Sequence, residues 1–356
     1  EQIRLSRRLF HSFRKLDVLQ ELVEDDSITE IMINGKDHIF VERDGRIVRS
    51  DKTFLSQEKL EDVIQQIVSG TNRYVNELSP IVDARLPDGS RVNVVLPPVA
   101  LDGPTMTIRK FPKEKMTMER LIELGALDEE AAGFLKLLVK ARYNIFVSGG
   151  TGAGKTTFLN ALSDYIPKTE RIITIEDSAE LQLRDVENLV RMETRNSNVE
   201  GENAITIRDL IKASLRMRPD RVIVGEVRDS AAIDMLTAMN TGHDGSLSTG
   251  HANSAYDMIT RLESMVLMGI ELPMEAVRRQ IASAVDIIIH LGRLRDGSRK
   301  VTEICEVTGI ENGQVQLMSL YEFEEQAEKG RKTVQGHLKK KAALQNKEKL
   351  KRAGLE

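Results

Sequence analysis

The chain has no tryptophan, a single cysteine and few aromatic residues of any kind, 4% in all. With Cys305 alone, no disulfide can close within its 356 residues and no multi-cysteine zinc module can be assembled. A reducing, cytoplasmic setting is the natural expectation. No apolar run approaches the roughly 18–20 residues needed to span a bilayer, and the opening EQIRLSRRLF lacks the apolar centre of a signal peptide. Any work at a membrane is therefore expected from the water side. An excess of positive charge is also missing: 51 Lys and Arg stand against 55 Asp and Glu, a net charge of −4. With no basic-aromatic track either, nucleic acid is not an expected partner. What is present, 40% hydrophobic residues drawn mainly from Ile, Leu, Val, Met and Ala, suits a helix-rich α/β protein long enough for two cores.

Periodicity divides the chain into four parts. Residues 1–110 read as a mixed α/β domain: an amphipathic, basic helix at the start, strands broken at Asn34-Gly35 and Asp44-Gly45, a Ser-capped helix ending at Gly70, and renewed alternation in DARLPDGSRVNVVLPP and GPTMTIRKF. Residues 111–118, with Pro112 and mixed charge, read as a linker. Residues 119–323 alternate helices with the apolar strands NIFVSG, RIITIED, NLVRME, RVIVGE, GSLSTGH and VDIIIHL, a pattern that predicts a largely parallel sheet covered on both faces. A hairpin is expected to turn at Asn312-Gly313. Residues 324–356 read as a basic C-terminal tail with a helix candidate in HLKKKAALQNKEKLKRAGL.

The segment GGTGAGKT, Gly149 to Thr156, matches G-x-x-x-x-G-K-[ST] in full, between a strand and a helix. Gly149, Gly150, Thr151, Gly152, Ala153 and Gly154 allow the backbone N–H groups to converge on phosphate oxygens, and the next helix points its positive end at the same anion. Lys155 is placed to reach the β- and γ-phosphates, Thr156 offers a hydroxyl to Mg²⁺, and Thr157 extends the nucleotide contact. The expected ligands are thus ATP and Mg²⁺.

Hydrolysis also needs acids. Glu226 follows the strand RVIV, and Glu176 with Asp177 ends ITIED, so both acids should emerge where ligands bind in open α/β sheets. A general nucleoside triphosphatase would carry Asp where Gly225 stands. In NTGHDGSLSTGHANS, His243 and His251 bracket a small-residue strand; with no third ligand at metal spacing, an imidazole that bonds the γ-phosphate is the better reading. His11, His38, His290 and His337 are expected to be structural or surface residues. The ladder Ala255, Met258, Ile259, Leu262, Met265, Val266 reads as core.

Taken in order, GGTGAGKT, ITIEDSAEL, LIKASLRMRPDRVIVGEVRD and TGHDGSLSTGHANS resemble the Walker A, Asp-box, Walker B and His-box series of the type II/type IV secretion ATPases. Gly225 is normal in that superfamily. DARLPDGSRVNVVLPPVALDGPTMTIRKF looks like the N-terminal domain of its CpaF-like, tight-adherence (Tad) pilus branch. The resemblance implies a RecA-like P-loop ATPase domain with a smaller mixed α/β N-terminal domain, assembled as a homo-hexamer. It implies a cytoplasmic motor, peripheral to the inner face of the cell membrane, that hydrolyses ATP to drive an inner-membrane platform protein of a pilus. A conjugation-type secretion ATPase is the alternative, and a nucleotide-gated scaffold with little turnover a second. Matched residue by residue, Lys155 and Thr156 bind phosphate and Mg²⁺, Glu226 activates water, Glu176 supports the metal or that water, and His251 with His243 forms the His-box. Thr156, Glu176 and Glu226 are the implied metal residues. Arg85, Arg91 and Arg109 resemble arginines directed at the γ-phosphate, with Arg216, Arg218 and Arg228 as rivals. The four-cysteine zinc insert of many type II relatives is excluded by the single cysteine.

Overall fold

The computed structural model describes residues 16–43, 45–71, 74–111, 116–183, 185–195, 203–326 and 334–356. The chain divides into two compact units, Glu1–Lys115 and Met116–Glu356. Most of the expected N-terminal helix, and residues 112–115 of the linker expected at 111–118, lie outside the described residues.

The first unit runs α1 (Leu19–Glu24), β1 (Ile28–Asn34), β2 (His38–Arg43), β3 (Arg46–Arg49), α2 (Gln57–Ser69), β4 (Ile81–Arg85), β5 (Arg91–Val95) and β6 (Thr105–Arg109). Its strands form one antiparallel sheet in the order β3-β2-β1-β6-β5-β4. The period-two pattern explains its core: Ile31, Ile33, Val92, Val94, Met106 and Ile108 are buried together with Leu60, Val63, Ile64, Ile67 and Val68 of α2. Ser56 caps α2 by accepting from the Lys59 amide at 3.3 Å, an interaction worth about 1 kcal/mol. The other parity of the same strands faces away from this core. There Arg85 pairs with Arg91 and Arg91 with Arg109, so the expected arginines form one row across β4, β5 and β6.

The second unit runs α3 (Met118–Glu123), α4 (Glu129–Lys140), β7 (Ile145–Gly149), α5 (Lys155–Ser163), β8 (Ile172–Glu176), β9 (Leu189–Glu193), α6 (Ile207–Ser214), β10 (Arg221–Val224), α7 (Ala231–Asn240), β11 (Leu247–His251), α8 (Ala255–Gly269), α9 (Met274–Ala284), β12 (Ile287–Arg293), β13 (Arg299–Glu311), β14 (Gln314–Glu325), β15 (Gly336–Lys340) and α10 (Glu348–Ala353). Strands β12, β7, β11, β10, β8 and β9 are parallel neighbours in that order, and β13, β14 and β15 continue the sheet antiparallel from β12. Strands β7, β8 and β10 are buried on both faces, as their apolar runs require, and two hydrophobic cores lie against the sheet. The hairpin between β13 and β14 turns at Asn312-Gly313, both with positive φ, as a tight primed turn demands. The ladder from Ala255 to Val266 is core, as expected.

The C-terminal part differs from the helical tail expected for 324–356. Gly336–Lys340 is a strand paired with β14, and only Glu348–Ala353 is helical. The reason is charge and burial together. Lys339 and Lys341 bind Glu324 of β14, Lys341 also reaches Glu322, and Leu338, Leu344 and Leu350 enter the core at spacings no single helix face would give. The last turn is fixed by Glu306, whose carboxylate accepts from the Gln345 and Asn346 amides, and by Lys349 between Asp244 and Asp286.

Candidate nucleotide-binding site

Strand β7 is the buried centre of the parallel sheet, and the chain leaves it at Gly149 to form a loop that re-enters helix at Lys155. A β-carbon on Gly149 would lie 2.7 Å from the Leu291 carbonyl oxygen and 3.1 Å from the Ala153 methyl, so no other residue fits. Gly154 caps α5 with φ of 90°, in the left-handed region that disfavours side chains. The amide groups of the loop and the first turn of α5 therefore face a common point, where the helix dipole also favours negative charge. Lys155 is 8% exposed, and its ammonium donates to the Gly149 and Gly150 carbonyls at 3.0 Å each. Burial pulls its pKa down, while the nearby Glu226 opposes this and Arg228 adds to it. Such a group gains from an incoming polyanion.

On the other side of β11 from β7, β10 ends and delivers Glu226. Its carboxylate accepts from Arg228 at 2.7 Å and is hydrogen-bonded to Nδ1 of His251, and Arg228 reaches on to Asp177 at 3.7 Å. Burial raises the Glu226 pKa, but Arg228 and His251 outweigh it and leave the carboxyl below its ordinary value. An ionised carboxylate only accepts, so Nδ1 of His251 carries a hydrogen, and its Nε2 lies 3.4 Å from the Thr151 hydroxyl. A chain of contacts thus runs from the phosphate loop through one imidazole to the acid. His251 holds this position because β11 pairs directly with β7, His251 opposite Gly149.

Glu176, at the end of β8, occupies the space that a side chain at position 225 would need. A β-carbon on Gly225 would fall 3.0 Å from the Glu176 Cγ. This is the physical account of the glycine in place of the expected Asp: the acid is supplied from the neighbouring strand instead. Oε2 of Glu176 accepts from the Glu180 and Leu181 amides at 2.7 and 3.0 Å, and Oε1 is buried without a partner. Burial pushes its pKa up to about 7, against the opposing pull of those two amides.

Not all expected residues are brought together. His243 lies before β11, at the opposite edge of the sheet from the loop, with its Nδ1 at 3.2 Å from the Ala238 carbonyl. Among the described residues of one chain, His251 is the member of this pair that reaches the loop, and His243 does not. Arg216 and Arg218 precede β10 and lie at that same far edge, whereas Arg228 is at the site. Two residues were missed by sequence reasoning. His290 of β12 is not an isolated residue, because its Nδ1 lies 2.8 Å from Oγ of Ser148 at the base of the loop, and burial lowers its pKa. Arg299 of β13 donates from Nε to the Gly152 carbonyl at 2.7 Å. The pairing of β12 with β7 was the missing signal; nothing in one dimension announces it.

For Mg²⁺ the donor set is of the right kind. The ion takes six hard oxygens and in nucleotide sites draws most of them from phosphate and water. Among the described residues there is no cluster of three or more His, Cys, Asp or Glu that would form a dedicated cage. Thr156 and Glu226 offer accessible oxygens, and Glu176 stands behind Gly225 with one oxygen unpartnered. These residues fit the ion.

A phosphate loop leaving the central strand of a parallel sheet, with an oriented carboxylate at the end of a nearby strand, defines a RecA-like P-loop nucleotide hydrolase. Over residues 13–353 the sequence matches the family described as Type II/IV secretion system protein. A conjugal transfer protein TrbB of Rhizobium radiobacter is 33% identical over 326 residues, 90% of this chain and 96% of that protein. A type IV secretion system protein VirB11 of Bartonella quintana is 31% identical over 327 residues, 82% and 91% of the two chains. The crystal structure of the pilus retraction motor PilT with bound ADP shares the fold, with a TM-score of 0.56, 22% identity, and coverage of 85% of this chain and 81% of that one. The chain belongs to the type II/IV secretion system ATPase family. These matches show the family and do not single out its CpaF-like, Tad-pilus branch: the two sequence relatives named are a conjugal-transfer and a type IV secretion protein, and the pilus motor is alike in fold alone.

Proposed function

We propose that this chain is the ATPase of a conjugation-type secretion machine, working as a Mg²⁺-dependent homo-hexamer at the cytoplasmic face of the inner membrane and driving a membrane-embedded partner. The observation that carries the catalytic part is the linked set Thr151, His251, Glu226 and Arg228. The loop amides and Lys155 bind the phosphates of ATP. Glu226, held ionised, orients the attacking water and accepts its proton; a carboxylate with a lowered pKa is a weak base, so orientation is the larger part of its work. His251 keeps Glu226 in place and connects that acid to the loop. When bound with the nucleotide, Mg²⁺ neutralises phosphate charge and fixes the geometry of transfer, with Thr156 and Glu226 as the residues that would hold it. Arg85, Arg91 and Arg109 supply charge to the γ-phosphate in the assembled ring. The three are register partners on one face of the sheet, which supports their acting together on one anion. No helix among the described residues is long and apolar enough to cross a membrane.

The test is genetic and enzymatic together. Replacing the gene with the Glu226→Gln variant is expected to abolish transfer of DNA or protein to a recipient, and to lower kcat of the purified, folded variant by about 10²–10⁴. Normal turnover in that variant removes Glu226 from the mechanism. Lost surface pili with intact transfer points instead to a pilus motor.

A further inference from the structure

The residue that the established family features leave unused is Arg299. It is the first residue of β13, immediately after a turn that is tied at several points. Leu294 donates to the Ser298 carbonyl at 2.8 Å, Gly297 to the Leu294 carbonyl at 2.9 Å, and Gly297 has the positive φ the turn needs. Asp296 accepts from the amide and hydroxyl of Ser298 and from the Val334 amide, contacts that bring its pKa down to about 2. The backbone that carries Arg299 is thus fixed before any ligand arrives. From it the side chain crosses to the phosphate loop: Nε donates to the Gly152 carbonyl, and Cδ would lie 3.4 Å from a β-carbon on Gly154.

Among the described residues no carboxylate lies within ion-pair distance of Arg299, and neither η nitrogen makes a hydrogen bond. An arginine anchored through Nε keeps its two η nitrogens as a fork for a phosphate. The side from which it approaches matters. His251 and Glu226 come from β11 and β10, on one flank of β7, whereas Arg299 comes from beyond β12, on the other. Its hydrogen bond goes to Gly152, and its Cδ lies on the side of Gly154 where a β-carbon would stand.

We propose that Arg299 is a nucleotide-binding residue acting in cis, its η nitrogens gripping the α- and β-phosphates, so that it stabilises bound ADP and ATP alike and contributes little that is specific to the transition state. The inference rests on the nucleotide-site reading above and adds to it one residue and the part of the ligand that residue contacts.

The experiment titrates the full-length protein with a fluorescent N-methylanthraniloyl ADP and with a non-hydrolysable triphosphate analogue, beside steady-state kinetics. Arg299→Ala is expected to weaken both ligands by the same factor, about 10–100-fold, with the fall in kcat/KM carried by KM. Arg299→Lys should recover part of the affinity and Arg299→Gln, which keeps a donor for Gly152 but no charge, should not. Wild-type affinity in the Gln variant overturns the proposal and leaves Arg299 as a buttress of the loop. A loss confined to the triphosphate, or to kcat, also overturns it, because the contact is then to the γ-phosphate. Failure of the wild type to bind either ligand, or equal binding by Lys155→Ala, sinks the nucleotide reading itself, an outcome distinct from failure of Arg299 alone.

Discussion

Replacing Glu176 by Gln isolates the electrostatic cost of one buried carboxyl. The folded group holds its proton up to about pH 7, whereas the same side chain in an unfolded chain ionises near 4.5. Below pH 4.5 both states are protonated and the difference contributes nothing. As pH rises from 4.5 to 7 the unfolded chain releases a proton that the folded one retains, so stability falls across that window and levels off above it. At 1.36 kcal/mol for each pKa unit, the loss is about 3 kcal/mol. The Gln variant cannot ionise, and its oxygen can still accept from the Glu180 and Leu181 amides. Its amide nitrogen takes the unpartnered Oε1 position, a cost that does not depend on pH. The difference in melting temperature between variant and wild type should therefore move in favour of the variant by about 6–12 °C between pH 4.5 and pH 8, given the size of the second unit. Thermal melts at half-unit pH steps measure it. A difference that stays flat would refute the argument, since Glu176 would then ionise in the folded protein as it does in water.

Two further outcomes follow from close packing and buried charge. Gly225→Ala should drive Glu176 off its two amides and cost about 1–3 kcal/mol; the same change in a Glu176→Ala background should cost less, and a double-mutant cycle by urea unfolding reads the coupling. Arg221 is fully buried, pairs with Glu170, and donates to the Val139 and Gly245 carbonyls at 2.7 and 3.3 Å. Arg221→Ala strands the Glu170 carboxylate beside Arg142 alone, so a loss of about 3–5 kcal/mol is expected in the same assay; a loss under 1 kcal/mol would show that Arg142 suffices.

The phosphate loop was readable from sequence because its chemistry is local: the glycines, the lysine and the threonines of one short segment between a strand and a helix form the loop's own anion cradle. The alternation that predicts a parallel sheet is local too, as are the Asn312-Gly313 turn and the Ser56 cap. Sequence could likewise name Glu176 and Glu226, since each ends an apolar strand. It could not tell that Glu176 fills the space left by Gly225, because that contact depends on β8 and β10 being neighbours. Nor could spacing separate the two histidines, which bracket one strand symmetrically; the direction of that strand in the sheet puts His251 at the loop and His243 at the far edge. The lysines of the C-terminal part read as a helix until the acidic strand opposite them is seen. Arg299 lies 147 residues from the carbonyl it binds. Motifs within a single turn were fixed by the order of residues along the chain, whereas everything that depends on which strand lies beside which was decided by the tertiary fold.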